Sequence, residues 1–215
     1  MVPQHKEINY LGCLFDEKCT GESMALKVIE KIHGRLKFLW RKNKFLTPPL
    51  KRILCNALIQ PHFDYAMSAW YRNLQKKLSN NLQISQNKCI RFCLSLGNRS
   101  RVGINQFKEI NWLSFKDRFD QNVLTHIIKQ QNKLAKKHMD EIFTSADLCN
   151  IKTRSSSHKL KLPHCNKTSG HNTISSLGTR LWNILSNNPN TFKHKVKMHF
   201  LEVLEKEKDD MFLYY

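Results

Sequence analysis

The one Asp-Asp dipeptide in this chain, Asp209-Asp210, is the kind of pair that two Mg²⁺ ions need to activate a hydroxyl nucleophile and carry off a leaving pyrophosphate. Its neighbours, Glu207 and Lys208, place it in a charged tail, so it reads as a solvated helix end instead. Asp64, flanked by Phe63 and Tyr65, is a lone acid in a helical stretch and is expected to cap or to pair with Arg52 or Arg72. Cys149, His158, His164, Cys165 and His171 include zinc-ligand types, but a structural zinc site starts from a Cys pair two to four residues apart, which this segment lacks. Cys89 and Cys93 share a helix face and are expected in the core. So are His62 and Tyr65 near Trp70, and Trp112 and Trp182, rather than on a nucleotide-stacking platform. Phosphate-loop, nucleophile-elbow and zinc-protease patterns are missing as well. The expectation is therefore no catalytic residue, metal, cofactor or small-molecule substrate.

Charge is the stronger signal. Between Lys27 and Arg52 stand Lys27, Lys31, Arg35, Lys37, Arg41, Lys42, Lys44, Lys51 and Arg52, opposed only by Glu30. At about 100° per residue, Lys27, Lys31, Arg35 and Lys42 fall along one flank of an apolar stripe. Such a rod of positive charge can follow a phosphate backbone, releasing counterions without reading base sequence. Lys27, Lys31, Arg35, Lys42, Lys44, Lys51 and Arg52 are thus the candidate nucleic-acid contacts. A solvated lysine-rich face is the bland alternative, and the net charge of +19 over 215 residues, with further cations at Lys193, Lys195 and Lys197, tilts against it. The expected partner is RNA, DNA or a hybrid duplex, and the pattern says nothing of oligomeric state.

The elements that must position these residues are mostly helical. Ile8 to Phe15, broken at Gly12, reads as one short strand whose pairing partner must come from residues 1 to 7, from elsewhere in the chain or from an upstream domain. Ala25, Ile29, Ile32, Leu36 and Leu39 predict an amphipathic helix over residues 22–43 with Thr20 as N-cap. Thr47 and Pro48 open a second, with Leu50, Ile53, Leu54, Ala57 and Leu58 on one side, and Pro61 kinks or restarts it. Leu78, Leu82, Ser85, Cys89, Phe92 and Leu96 predict a third over residues 74–96, stopped by Gly97. Ser114 and Asp117 cap a fourth through Phe115, Phe119, Val123, Ile127 and Gln130. A short fifth is expected over residues 134–143. Residues 147–176 read as a linker in which Leu160 and Leu162 could form a strand, and helical spacing returns at Leu177 to Leu185 and from Phe192 to Val203.

Hydrophobic residues at 40% and charged residues at 25% fit a folded protein rather than a disordered basic tail. The N-terminus shows no secretory apolar core, and no run approaches the roughly 18 apolar residues of a membrane span. Seven cysteines, three of them at apolar helix positions, suggest reduced thiols and an intracellular protein, nuclear or cytoplasmic.

Several local motifs bear on a family. Tyr10-Leu11-Gly12 is followed by the basic helix, by Arg52 to Tyr65 ending in Leu58-Ile59-Gln60-Pro61-His62-Phe63-Asp64-Tyr65, and by Gln86-Asn87-Lys88. Ile110-Asn111-Trp112-Leu113, Thr153-Arg154-Ser155, Gly178 to Asn183 and Phe192-Lys193 continue the series. Across nearly its whole length the chain resembles the C-terminal third of the reverse transcriptases of jockey-like non-LTR (LINE) retrotransposons. The resemblance implies a mainly α, helical thumb-like bundle with a short N-terminal strand and a small C-terminal helical segment. Residues 1–20 would be the remnant of the last palm strand, 21–145 the thumb-like domain, 146–176 a linker or extended arm and 177–215 the helical extension. Tyr10, Leu11 and Gly12 would mark the palm-thumb junction, and the Lys27 to Arg52 region would help hold a template-primer duplex. The family's RNA-directed DNA polymerase chemistry uses Mg²⁺ on palm aspartates that have no counterpart here, so no polymerase activity is expected of this chain alone. The alternatives are a free-standing basic RNA- or DNA-binding module and a non-functional transposon remnant.

Overall fold

The computed structural model describes residues 6–131, 142–143 and 159–186. Its order is β1 (Glu7–Tyr10), β2 (Cys13–Asp16), α1 (Glu22–Arg41), a 3-10 turn (Asn43–Phe45), α2 (Pro48–Leu58), α3 (Gln60–Asp64), α4 (Met67–Trp70), α5 (Lys76–Cys93), α6 (Ile104–Glu109), α7 (Phe115–Gln131), α8 (Thr168–His171) and α9 (Ile174–Ser186). The protein is mainly α, with one small antiparallel sheet near the N-terminus. Among the described residues no helix is long and apolar enough to cross a membrane. The chain divides into two compact units, Met1–Phe119 and Asp120–Tyr215. That boundary falls inside α7, where a continuous helix gives no local change of composition to announce it. The expected boundaries near residues 20 and 145 do not coincide with it.

The apolar run Ile8 to Phe15 is a hairpin rather than one strand. Glu7 pairs with Asp16, Ile8 with Phe15, Asn9 with Leu14 and Tyr10 with Cys13. The two residues between the strands, Leu11 and Gly12, have φ of 49° and 82°. Positive φ at both central positions is the geometry that lets a two-residue turn follow the twist of its strands, and Gly12 adopts it without a Cβ penalty. The strand thus finds its partner within its own run.

The start of α1 corrects the expected cap. Gly21, not Thr20, holds the N-cap position, at φ 76°. A side chain there would collide with the Trp70 backbone carbonyl, so α1 and α4 can approach only because this residue is glycine. Asp16 organises the turn: its Oδ2 accepts from the Thr20 amide at 3.0 Å and hydroxyl at 2.8 Å, and its Oδ1 from the Gly21 amide at 3.0 Å. Burial raises its carboxyl and these donors outweigh that, leaving it below the usual carboxylate range. Beyond the cap, Met24, Ala25, Val28, Ile32, Leu36 and Leu39 are buried along one face against α5 and its neighbours.

Thr47 is the N-cap of α2 with Pro48 following, and Pro61 restarts the chain as α3, as the sequence predicts. The buried face of α2 is not the predicted one. Lys51 and Cys55 point inward, with Ile59 just beyond, whereas Leu50 and Ala57 are exposed and Ile53 is 61% exposed. Cys55 meets Cys89 and Cys93 of α5 in a buried thiol cluster. The facing thiol of Cys93 and burial push Cys55 up, and burial followed by Cys93 does the same to Cys89, so both are protonated core residues.

Helix α5 ends earlier than Gly97. Ser95 takes the left-handed conformation at φ 54°, the Leu96 amide donates to Arg91 O at 2.9 Å and the Ser95 amide to Phe92 O at 3.2 Å. This is a Schellman stop built on serine. The short α6 was not anticipated; the Gln106 side chain accepts from the Gly103 amide at its start. At α7 the predicted cap holds, with the Asp117 amide donating to Ser114 Oγ at 3.2 Å and Phe115, Phe119, Val123, Ile127 and Gln130 buried. Phe63, Trp70, Tyr71, Phe115 and Phe119 form the aromatic core of the first unit.

In the second unit, Gly178 of α9 faces Ile127 and Phe143, leaving no room for a Cβ. Gln130 Nε2 donates to Phe143 O at 2.9 Å. Leu160 forms a single β-bridge that does not extend to Leu162. The Asn183 side chain pairs with the Leu160 backbone, accepting from its amide at 2.9 Å and donating to its carbonyl at 3.0 Å. Trp182 is buried, as expected. Residues 134–141 of the helix anticipated over 134–143, the helix anticipated from Phe192, the cations Lys193, Lys195 and Lys197, the Asp209-Asp210 pair, Cys149 and His158 lie outside the described residues, and Ile142 and Phe143 form a turn and a bend.

Candidate nucleic acid interface

Helix α1 buries one stripe, so residues on either side of that stripe emerge as two flanks. On the first flank Lys31 and Arg35 are exposed and Lys27 half-buried, and Lys42 and Lys44 continue exposed past its end. None of the five pairs with a carboxylate among the described residues. Lys27 Nζ donates to Gly12 O at 3.3 Å, tying the row to the hairpin turn. Arg35 Nη1 donates to Leu58 O at 2.8 Å, covering a carbonyl left open at the end of α2. His62 of α3 lies beside them: burial and then the charges of Arg35 and Lys31 hold its pKa below the ordinary 6.5. Phe38, on the same flank, is 56% exposed.

Two of the seven predicted contacts do not join this row. Lys51 is only 4% exposed; its Nζ donates to Ser95 Oγ at 2.8 Å and sits 5.4 Å from the centre of the Phe92 ring. It is a core lysine, its charge spent on the Schellman turn and the aromatic face. Arg52 is exposed, but it lines a cleft of about 380 Å³ with Pro48, Ile53, Asn56 and Glu109 rather than the flank of α1.

The second flank was missed as a site. His33, Lys37 and Trp40 of α1 face Lys88 and Arg91 of α5, with Leu36 at the base and Asn98 at one end, around a groove of about 480 Å³. No acid lines it. His33 Nε2 lies 3.1 Å from Ser85 Oγ, and burial followed by the charge of Lys88 depresses its pKa. Trp40 keeps 36% of its surface while packing edgewise on the buried Phe92, ring centres 5.3 Å apart. A signal did exist in the sequence: Lys88 and Arg91 are one turn apart on α5. Without knowing which face of α5 meets α1, nothing joins them to Lys37.

The remaining motifs are structural. Tyr65 Oη donates to Leu11 O, so the Tyr10-Leu11-Gly12 turn is clamped to the end of α3. Tyr65 itself is exposed, contrary to the expected core position, while Trp70 is buried with its Nε1 donating to Tyr65 O at 3.0 Å. Buried Gln86 donates to Leu113 O at 2.9 Å, and Trp112 Nε1 donates to Asn56 Oδ1 at 2.8 Å, joining the Gln86-Asn87-Lys88 and Ile110 to Leu113 motifs to their neighbours. Asp64 is held by both nitrogens of an Arg118 fork, not by Arg52 or Arg72. Buried Gln60, its amide oxygen toward the same guanidinium, accepts from Arg118 Nη1 at 2.9 Å. Among the described residues no three His, Cys, Asp or Glu side chains converge as metal ligands would. His171 Nδ1 lies 2.7 Å from Arg180 Nη2, which must donate to it.

This arrangement can neutralise phosphates on two sides of one helix. No family model, curated protein or solved structure matches the chain.

Proposed function

We propose that this chain is a nucleic-acid-gripping module of the thumb kind, which holds a template-primer duplex by its backbone and supplies no catalytic group. The observation that carries the reading is the row of Lys27, Lys31 and Arg35, followed past the helix end by exposed Lys42 and Lys44, none of them ion-paired among the described residues, and backed by a buried apolar stripe. Each cation can displace counterions from a phosphate, and contacts to phosphates carry no base information, so the grip is indifferent to sequence. The resemblance to the thumb of LINE reverse transcriptases supports the same role, with the polymerase chemistry carried elsewhere. Asp64, the acid that follows the basic stretch in α3, is committed to Arg118 and is positional. The free-standing binding module is the form this reading takes for the chain by itself: the hairpin pairs within its own run and residues 6–119 carry their own aromatic core. A nuclear or cytoplasmic location follows from this reading, supported by six free thiols among the described residues.

The test is binding of a fluorescent RNA–DNA hybrid across a salt series. Four to five phosphate contacts should give a log-log slope of about −4, and Lys31→Glu should reduce its magnitude by about one. Lys31 is the better probe than Arg35, because Arg35 also covers the end of α2. Absence of binding at low salt, or binding indifferent to salt, would overturn the proposal.

A further inference from the structure

The groove between α1 and α5 is chemically unlike the first flank. It combines cations from two helices with an aromatic wall around a solvent-open groove, where the first flank offers a row of charge along one helix. Lys37, Lys88 and Arg91 line it with no acid beside them among the described lining residues, so an anion entering there would meet positive charge from both helices. Arg91 is already oriented, since its Nε donates to Ser100 O at 2.8 Å, leaving its other N–H groups to meet an anion. Trp40 is fixed by Phe92 and partly uncovered, so a planar ligand laid on it would meet a ring that need not be ordered first. The volume of about 480 Å³ lies within the roughly 300–1,000 Å³ of small-ligand clefts and is too small for a duplex. Asn98 adds an amide that can donate to or accept from a base edge.

We propose that this groove seats one unpaired nucleotide of a single-stranded nucleic acid, its base against the Trp40 indole and its phosphate among Lys37, Lys88 and Arg91. A bare phosphate would gain nothing from the indole wall. A duplex keeps its base faces stacked on one another and cannot offer one to Trp40. The inference rests on the chain being a nucleic-acid binder but uses a different surface from the duplex grip, so the two can fail separately. Together they describe a module that holds a duplex on one flank of α1 and a single-stranded overhang on the other.

The experiment compares three probes on the full chain: oligo(dT) of about 12 nucleotides, thymidine monophosphate and the RNA–DNA hybrid. Trp70, Trp112 and Trp182 are buried, so quenching of the exposed indole reports on Trp40. Oligo(dT) should quench it, and Lys88→Glu should weaken oligo(dT) binding about tenfold while changing hybrid binding less than about twofold. Trp40→Phe should abolish the quench and weaken oligo(dT) binding severalfold, again sparing the hybrid. Lys88 is a surface residue, so its variant keeps the test decisive even if Trp40 variants fold poorly. No quench, equal loss for oligo(dT) and hybrid in Lys88→Glu, or monophosphate binding as tight as oligo(dT), would each overturn the proposal. Oligo(dT) binding that passes these checks in a chain that ignores the hybrid would leave this site standing and remove the duplex grip.

Discussion

Helices α1 and α2 carry the same mixture of lysine, arginine and aliphatic residues, and they dispose of it in opposite ways. In α1 the aliphatic residues are buried and Lys31 and Arg35 face outward. In α2 a lysine, Lys51, is buried while Ile53 is 61% exposed. The difference lies in what stands opposite. Helix α1 packs on α5, with β2, α3 and α4 also against it, so a continuous stripe is covered. Helix α2 is shorter and meets the end of α5, where the serine-built Schellman turn and the Phe92 ring offer a polar and aromatic socket that suits a lysine stem and ammonium. Identical residue types therefore say little about function until the neighbouring surface is known.

The largest effect that could break this contrast is on the core. Ile32→Ala in α1 should cost about 3 kcal/mol, whereas Ile53→Ala in α2 should cost less than about 0.5, both read from urea unfolding. Comparable costs would mean that α2 is covered in solution. Lys51→Ala should then destabilise by about 1–2 kcal/mol through loss of the Ser95 hydrogen bond and the packed stem, while Lys31→Ala should be neutral to unfolding within about 0.5. A neutral Lys51→Ala would return that lysine to the solvent-exposed set. The reciprocal effect is on binding: Lys31→Ala should weaken the hybrid complex a few-fold at low salt, by about the contribution of one phosphate contact. No change in binding would remove Lys31 from the grip.

The smallest effect is a pH dependence. The unfolded chain takes up protons on its histidines near 6.5, but burial and nearby cations leave His62 and His33 harder to protonate when folded. Their contribution to stability is therefore present above about pH 6.5 and is lost as the pH falls toward their folded values. His62→Gln should flatten this slope in urea titrations at successive pH values, and an unchanged slope would separate His62 from Lys31 and Arg35. An anion placed in the α1–α5 groove should ease protonation of His33, so oligo(dT) binding should tighten as the pH drops through the same range.

Much of the architecture was readable where a single element decides its own fate. The stripe of α1, the Thr47-Pro48 opening of α2, the restart at Pro61 and the Ser114-Asp117 cap of α7 each depend on residues within one or two turns of each other. The hairpin was less legible because its turn places Leu11 at a positive φ that favours Asn or Gly. The helix stop at Ser95 escaped for the same reason, since glycine two residues later was the stronger local sign. Asp64 found Arg118, 54 residues away, rather than the arginines close to it in sequence.

The sequence alone determined that this protein is mainly helical, strongly basic, and built around a lysine-rich amphipathic α1, because periodicity and charge are properties of a segment by itself. Only the tertiary structure decided that Lys51 is core, that Arg52 leaves the row, and that Lys37, Trp40, Lys88 and Arg91 share one groove. Those outcomes depend on which faces of α1, α2 and α5 meet. A helix's own sequence sets the direction of each side chain but not the surface it will find there.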